Sequence, residues 1–256
     1  MQTSRIFGFD IFSSSKKALL ADFDDLLIAH RLPKTQLVFT PNPEQIVMAK
    51  HDASFAEDLQ KADWLLPDGI GLVHASFFLK FFGKTKNKIQ ERIAGVEVVE
   101  HLLQKNLKTL IIGGRDYLGA FEGEAFEDIK SLKKIQNNLY WTEGYQEKAD
   151  ILAVEEEALD RIITELKPDL VFVALGAPDQ EKWILEHYNL MQENQVKIAM
   201  AVGGSFDFLF AKVNRAPQLW QKIGLEWLWR LIKQPWRGKR QLRLIEFIYL
   251  LIREII

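Results

Sequence analysis

"DLVFVALG", residues 169–176, holds six apolar residues in a row between an aspartate and a glycine. A short run of this kind, rich in β-branched and aromatic side chains, reads as a strand covered on both faces, as parallel strands are in α/β sheets. The theme recurs on either side. "KTLIIGG" (108–114) and "KIAMAVGG" (197–204) are apolar runs that also end in glycine. "QLVFT" (36–40) precedes a helical "PEQIVMAK", and "DWLLP" (63–67) precedes an apolar helix near 70–82. "KTLIIGG" and "DLVFVALG" lead into helical patterns, whereas "SFDFLF" after Gly204 is ambiguous. Strand and helix units in alternation specify an α/β, Rossmann-like fold, a mainly parallel sheet flanked by helices and joined by right-handed crossovers.

Composition bounds the function. The 256 residues are 48% hydrophobic and 27% charged, enough for a full globular core. The absence of cysteine excludes a disulfide framework and a thiolate metal site, and suits a reducing cytoplasm. The start, "MQTSRIFGFDIF", lacks the basic region and continuous apolar core of a signal peptide. No stretch reaches the roughly 18 uncharged apolar residues that crossing a bilayer requires. The net charge of −2 hides an asymmetry: from Lys212 onward there are ten Lys/Arg and three Glu, a balance of +7, which leaves −9 for residues 1–211. Trp220, Trp227, Trp229 and Trp236 fall in the same stretch. The expected organisation is an α/β body over 1–211 and a basic, aromatic-rich helical appendage over 212–256 that meets something anionic.

In such folds ligands collect at the carboxyl ends of the strands. That places Thr40 and Asn42, Asp68, Gly113 and Gly114, Gly176 to Gln180, and Gly203 to Asp207 in the candidate region. Glycines let backbone N–H groups approach a ligand, and helix N-termini favour anions. Any one glycine could serve only a strand-to-helix turn, but three such ends together favour a phosphate-bearing ligand. "LIIGGRDYLG" is not G-x-G-x-x-G, so a dinucleotide site is weakly supported. Asp68, in "LLPDGIGLV" (65–73), is either a helix N-cap or a carboxylate held to take a proton. The five histidines show no two-ligand spacing. "DFDD" (22–25) looks like a metal-binding Asp-x-Asp, but it lies in the helical "KKALLADFDDLLIAH" and reads as a solvated helix face. No G-x-S-x-G or Walker A loop occurs.

"TPNPEQIVMA", "ADWLLPDGIGLV", "ERIAG", "VALGAPDQEKWI", "VGGSFDF", "NRAP" and "GLEWLWRL" occur in order between residues 36 and 243. Together they resemble the WecG/TagA/CpsF family, glycosyltransferase family 26. The resemblance implies an inverting transfer from a UDP-sugar to an undecaprenyl-diphosphate-linked amino sugar. The sugar would be N-acetylmannosamine or its uronic acid, for teichoic acid linkage units or enterobacterial common antigen. Other members, as glucosyl or galactosyl transferases, would serve capsule and exopolysaccharide assembly. "RGKRQLRL" resembles the mannosaminuronic acid branch, and "LLPDGIG" suits the teichoic-acid branch as well. Two positions depart from the family: its usual Ala-Gly before the "K-V-x-R-A-P" segment is Phe210-Ala211, and Gly-Tyr-Phe is Gly144-Tyr145-Gln146.

Under that resemblance Asp68 becomes the general base on the acceptor hydroxyl, with its small neighbours leaving room for the acceptor. Thr40 and Asn42 would bond sugar hydroxyls or the acetamido group; their alternative is a turn and an N-cap. Gln180, after a proline suited to a helix start, would face the cleft. Arg92 would bind a phosphate or pair with Glu91, and Tyr145 and Asp207 would contact the nucleotide. Without a metal, helix N-termini and Arg230, Arg237, Arg240 and Arg243 would meet the diphosphate charge, the tail completing the site. The final "LIEFIYLLIREII" is apolar nearly all round. It could pack on the body or on a second copy of the chain, or lie on an anionic membrane at its cytoplasmic face. Two rival classes are a nucleoside- or NAD-dependent enzyme of another type, which leaves the basic tail unexplained, and a non-catalytic adaptor for nucleic acid or membrane. The adaptor does not need polar strand ends, and nucleic acid is not an expected partner.

Overall fold

The computed structural model describes residues 1–29, 31–114, 124–125, 132–145, 151–209, 216–217, 220, 226–233 and 238–256. In chain order the elements are β1 (Thr3–Ile6), β2 (Phe9–Phe12), α1 (Lys16–Ile28), β3 (Gln36–Phe39), α2 (Pro43–His51), α3 (Ala53–Gln60), β4 (Trp64–Leu65), α4 (Ile70–Phe81) and α5 (Gly95–Leu103). There follow β5 (Thr109–Gly113), β6 (Glu124–Ala125), β7 (Leu132–Gln136), β8 (Leu139–Thr142), α6 (Ala153–Leu166), β9 (Leu170–Ala174), α7 (Asp179–Glu186) and α8 (Tyr188–Glu193). The last described elements are β10 (Ile198–Ala201), α9 (Ser205–Leu209), α10 (Glu226–Lys233) and α11 (Gly238–Ile255). The chain divides into two compact units: residues 1–19, 40–95 and 211–256 form the first, and residues 20–39 and 96–210 the second. The stretch that carries the positive charge thus belongs to the same unit as residues 40–95.

The second unit carries the sheet that the opening motif foretells. Its strand order is β3-β10-β9-β5-β8-β7-β6 among the described residues. From β3 to β8 every neighbour is parallel, with Ile111 beside Phe172 and Ala199 beside Val171. Leu110, Ile111 and Ile112 of β5 and Leu170 to Val173 of β9 are wholly buried, as unbroken apolar runs require. The fold is Rossmann-like. After β5 the chain goes to β8 on one side, whereas β9 leads to β10 on the other, so the topology switches between β5 and β9. Crevices at such switch points, outside the carboxyl ends, are where open α/β sheets bind ligands.

Two features were not foreseen in the sequence. "KKIQNNLYWT" forms the antiparallel hairpin β7–β8 with a bulge between Lys134 and Gln136, which extends the sheet at one edge. The lysines conceal the strand, and Lys133 Nζ lies 5.7 Å from the centre of the Trp141 ring. The helical pattern expected after Gly114 falls largely outside the described residues, and Glu124–Ala125 in its midst is a short strand. The ambiguous "SFDFL" is the short helix α9.

In the first unit, the N-terminal residues form the hairpin β1–β2, turning at Phe7 and Gly8, both with positive φ. α11 packs on α2 and α4. Its Phe247 is 3% exposed and meets the Phe7 ring edge-on at 5.4 Å. Arg243 Nη1 donates to Glu44 Oε1 at 2.9 Å, and His51 Nε2 lies 2.5 Å from Glu246 Oε1. Among the described residues, no helix is long and apolar enough to cross a membrane.

Candidate active site

The first unit gathers Thr40, Asn42, Asp68 and Arg92 through its backbone. The Asp68 N–H donates to Pro41 O at 3.1 Å and to Leu66 O at 2.9 Å, which ties "TPNP" to "LLPDG". The Ile93 N–H donates to Pro67 O at 3.0 Å and brings in "ERIAG". Three segments distant in sequence are thus laced together within one residue of Asp68. Thr40 is buried, and Asn42, Asp68 and Arg92 are partly exposed. The Glu91 carboxylate accepts from the Lys16 N–H at 2.8 Å, at the start of α1.

Asp68 is not at the N-cap position of α4. The N-cap is Gly69, without any side-chain capping bond. Gly69 has φ +154°, and a Cβ there would lie 2.8 Å from Pro43 Cδ; one on Gly71 would lie 2.7 Å from Pro43 Cγ. The open backbone of "DGIG" therefore lets α4 start against the Pro43 ring. The expectation that these glycines make room for an acceptor is replaced by this close approach. Asn42, by contrast, is the N-cap of α2. Its Oδ1 accepts from the Gln45 N–H at 3.0 Å, and Gln45 Oε1 accepts from the Asn42 N–H at 3.0 Å, a reciprocal capping box. Capping engages Asn42 Oδ1 and not its amide nitrogen. Arg243, paired with Glu44 in the first turn of α2, stands near this loop. Arg237 lies outside the described residues. Arg230 is on α10 and Arg240 on α11, and their side chains, like that of Asp207 on α9, are outside the description too.

The second unit gathers Gly113, Gly114, Tyr145, Gly176 and Gln180 at the carboxyl ends of the parallel strands, around the switch point. Here side chains do the tying. Gln180 is 2% exposed and lies on α7, whose N-cap is Pro178. Its Oε1 accepts from the Gly176 N–H at 3.2 Å and the Gly203 N–H at 3.0 Å, and its Nε2 donates to Glu181 Oε1 at 2.9 Å. Instead of facing a cleft, Gln180 joins the loops after β9 and β10, and two glycine N–H groups expected to meet a ligand bond to it. Trp141 Nε1 donates to Gly113 O at 2.9 Å. Gly113 has φ +98°, and a Cβ there would lie 2.9 Å from Ala174 O, so glycine is required by the neighbouring strand.

Tyr145 is 3% exposed, and its hydroxyl accepts from Trp183 Nε1 at 2.6 Å. Burial, reinforced by a hydrogen bond to Glu156, pushes the phenol well above its usual value. Trp183 stacks on His187 at 4.0 Å, and His187 Nε2 lies 3.1 Å from Glu156 Oε2. The hydroxyl therefore belongs to an interior network, while Gly144 lies beside the end of β5. Sequence reasoning missed Glu181, 1% exposed, and Pro43. The first is signalled by a charged residue beside Gln180 in an otherwise apolar helix face, the second by two prolines two apart matched to two glycines two apart.

"DFDD" is on α1 as expected, but Asp24 is not merely solvated: its Oδ1 is 2.7 Å from Lys105 Nζ and 2.8 Å from His101 Nε2. Those bonds, Lys105 first, hold its carboxyl below the usual range. Among the described residues, no three His, Asp or Glu are grouped to hold a metal.

The sequence profile of the Glycosyl transferase WecG/TagA/CpsF family matches residues 4–256. The chain is 31% identical over 261 residues to an N-acetylglucosaminyldiphosphoundecaprenol N-acetyl-beta-D-mannosaminyltransferase of Bacillus subtilis (strain 168), covering 99% of this chain and 93% of the relative. It is 31% identical to a protein of the same description from Bacillus spizizenii, covering 97% of this chain and 90% of that one. With the Rossmann-like sheet and the polar strand ends already in place, the match over nearly the whole length shows that the chain belongs to the WecG/TagA/CpsF glycosyltransferase family and is a transferase enzyme.

Proposed function

We propose that the enzyme moves N-acetylmannosamine, or its uronic acid, from a UDP-sugar to undecaprenyl-diphosphate-linked GlcNAc, with inversion at the anomeric carbon. The observation that carries this reading is 31% identity, over 99% of this chain, to a relative named for N-acetylmannosaminyl transfer to N-acetylglucosaminyldiphosphoundecaprenol. Inversion is a single displacement: the acceptor oxygen bonds to the anomeric carbon as the bond to the UDP oxygen breaks, and the hydroxyl proton passes to a base. Asp68 is that base, a role worth about 10² to 10⁴ in rate. Support comes from its backbone lacing to Pro41, in the loop that also carries Thr40 and Asn42.

Thr40 and the Asn42 amide contact the sugar, and Arg92 a phosphate. The UDP moiety takes the switch point after β5 and β9, where Gly113 and Gly114 turn away from the strand. Gln180 and Tyr145 act there by holding the loops, and Asp207 by facing the nucleotide. The diphosphate charge is met by helix N-termini and by Arg230, Arg237, Arg240 and Arg243, without a metal cofactor. Turnover should survive EDTA; strict dependence on Mn²⁺ or Mg²⁺ would overturn the metal-free mechanism. The enzyme works at the inner face of the cytoplasmic membrane as a peripheral protein, where its lipid-linked acceptor is held.

The test is a panel of UDP-sugars offered with lipid-diphosphate GlcNAc, read by the mass of the lipid product. The reading expects an added N-acetylhexosamine or its uronic acid. Addition of a plain hexose would replace it with the glucosyl or galactosyl alternative, and tight DNA binding without turnover would favour the adaptor.

A further inference from the structure

α4 buries one face and leaves the other strangely apolar for a helix in water. Leu72, Ala75, Ser76 and Leu79 are buried, whereas Phe77, Phe78, Phe81 and Phe82 are exposed by 53%, 44%, 76% and 51%. The phenylalanines meet edge-on in pairs, with ring centroids 5.6 Å apart for Phe77 and Phe78 and 5.2 Å for Phe81 and Phe82. Soluble proteins rarely leave a contiguous aromatic ridge of this kind without a partner.

The segment that follows is cationic and firmly seated. Lys84, Lys86 and Lys88 are exposed, while Thr85 and Asn87, which alternate with them, bond to β1: the Arg5 N–H donates to Thr85 Oγ1 at 3.1 Å, and Asn87 Nδ2 donates to Thr3 O at 2.9 Å. The Ile89 N–H donates to Ser76 Oγ at 2.8 Å and returns the segment to α4. With Lys80 on the helix itself, four ammonium groups border the phenylalanine ridge, and no Asp or Glu occurs between Asp68 and Glu91. The cluster stands out because residues 1–211 are acidic as a whole, with a balance of −9.

We infer that the exposed face of α4 and the lysines after it form a docking surface for an anionic lipid bilayer. Rings enter the acyl boundary while lysine stems reach back to phosphate headgroups. A second copy of the chain fits less well, since a two-fold contact through this patch would set lysines against lysines. α11, which packs on α4, exposes Ile245, Ile248, Tyr249 and Ile252 as well, and the test below distinguishes the two faces. If the proposed transfer to a lipid-linked acceptor holds, α4 gains a further use. Asp68 directly precedes its start, and 12 residues at about 1.5 Å per residue put the ridge within about 18 Å along the helix. Docking would then set the height of the base above the lipid.

The test is co-sedimentation of the full chain with phosphatidylglycerol vesicles and, separately, with phosphatidylcholine vesicles. The inference expects strong binding to the first only, weakened about tenfold or more by Phe81→Ser with Phe82→Ser, at unchanged thermal stability. Lys84→Gln with Lys86→Gln and Lys88→Gln should weaken it similarly and flatten its salt dependence. Full vesicle affinity in both variants would overturn the inference, as would loss confined to an Ile248→Ser, Ile252→Ser variant of α11. A shift from oligomer to monomer in Phe81→Ser, Phe82→Ser without loss of vesicle binding would make the ridge a subunit interface and overturn it too. Sedimentation does not depend on the sugar transferred, so failure of the proposed reaction would leave this readout intact.

Discussion

The loops nearest Asp68 and those around the β5–β9 switch point are held by different means. Around Asp68, backbone carbonyls of Pro41 and Pro67 take the N–H groups of Asp68 and Ile93. Around the β5–β9 switch point, side chains do that work: Gln180 bridges Gly176 and Gly203, Trp141 holds Gly113, and Trp183 holds Tyr145. The difference says where substitution should harm stability and where it should harm chemistry. A polar side chain that satisfies buried backbone groups cannot be removed without cost to the fold. One that the backbone positions can be changed with the fold intact.

Gln180→Ala should show the contrast most strongly. It strips the acceptor from two loop N–H groups and a partner from Glu181, a loss of about 3 kcal/mol seen as a lower urea midpoint in denaturation. An unchanged midpoint would mean that these loops are held otherwise. Gly71→Ala comes next, because the added methyl would overlap the Pro43 ring. It should cost about 2 kcal/mol even though it lies in the unit of Asp68, since here the packing is of backbone on a ring. Wild-type stability would show that α4 can draw back from Pro43.

Smallest is Asp24→Asn, expected below about 1 kcal/mol because the pair with Lys105 and His101 is partly exposed. Its sign with pH is fixed. The folded carboxyl is held below the usual carboxylate range, so the contribution is present above that range and fades as pH falls through the lowered folded value. A wild-type minus variant difference that grew toward acid would contradict the pairing.

Much of the sheet was legible because its signal is local. Parallel strands such as 170–174 are buried on both faces and must be apolar throughout, so β3, β5, β9 and β10 could be read directly. The edge hairpin β7–β8 was not, because an exposed strand tolerates lysines, and "NN" was the only turn signal. The strand-end residues were legible as a set, but not the direction of their side chains. Gln180 turns inward because two glycine loops converge on it, and that convergence depends on strand order. The glycines after Asp68 likewise answer to Pro43, some 26 residues earlier, a contact that no local pattern encodes. The tail could be recognised by charge and tryptophan, but not that its last helix packs on α2 and α4, with Phe247 against Phe7.

The central claim is that Asp68 serves chemistry and not architecture. Asp68→Asn keeps the size and most of the hydrogen-bonding capacity of the side chain while removing its ability to take a proton. Turnover of the UDP-sugar donor with lipid-diphosphate GlcNAc should be measured beside thermal unfolding of the same preparation. The account expects kcat to fall by about 10² or more, with KM and melting temperature little changed. Turnover near that of the wild type, or a fall matched by loss of the folded state, would contradict it.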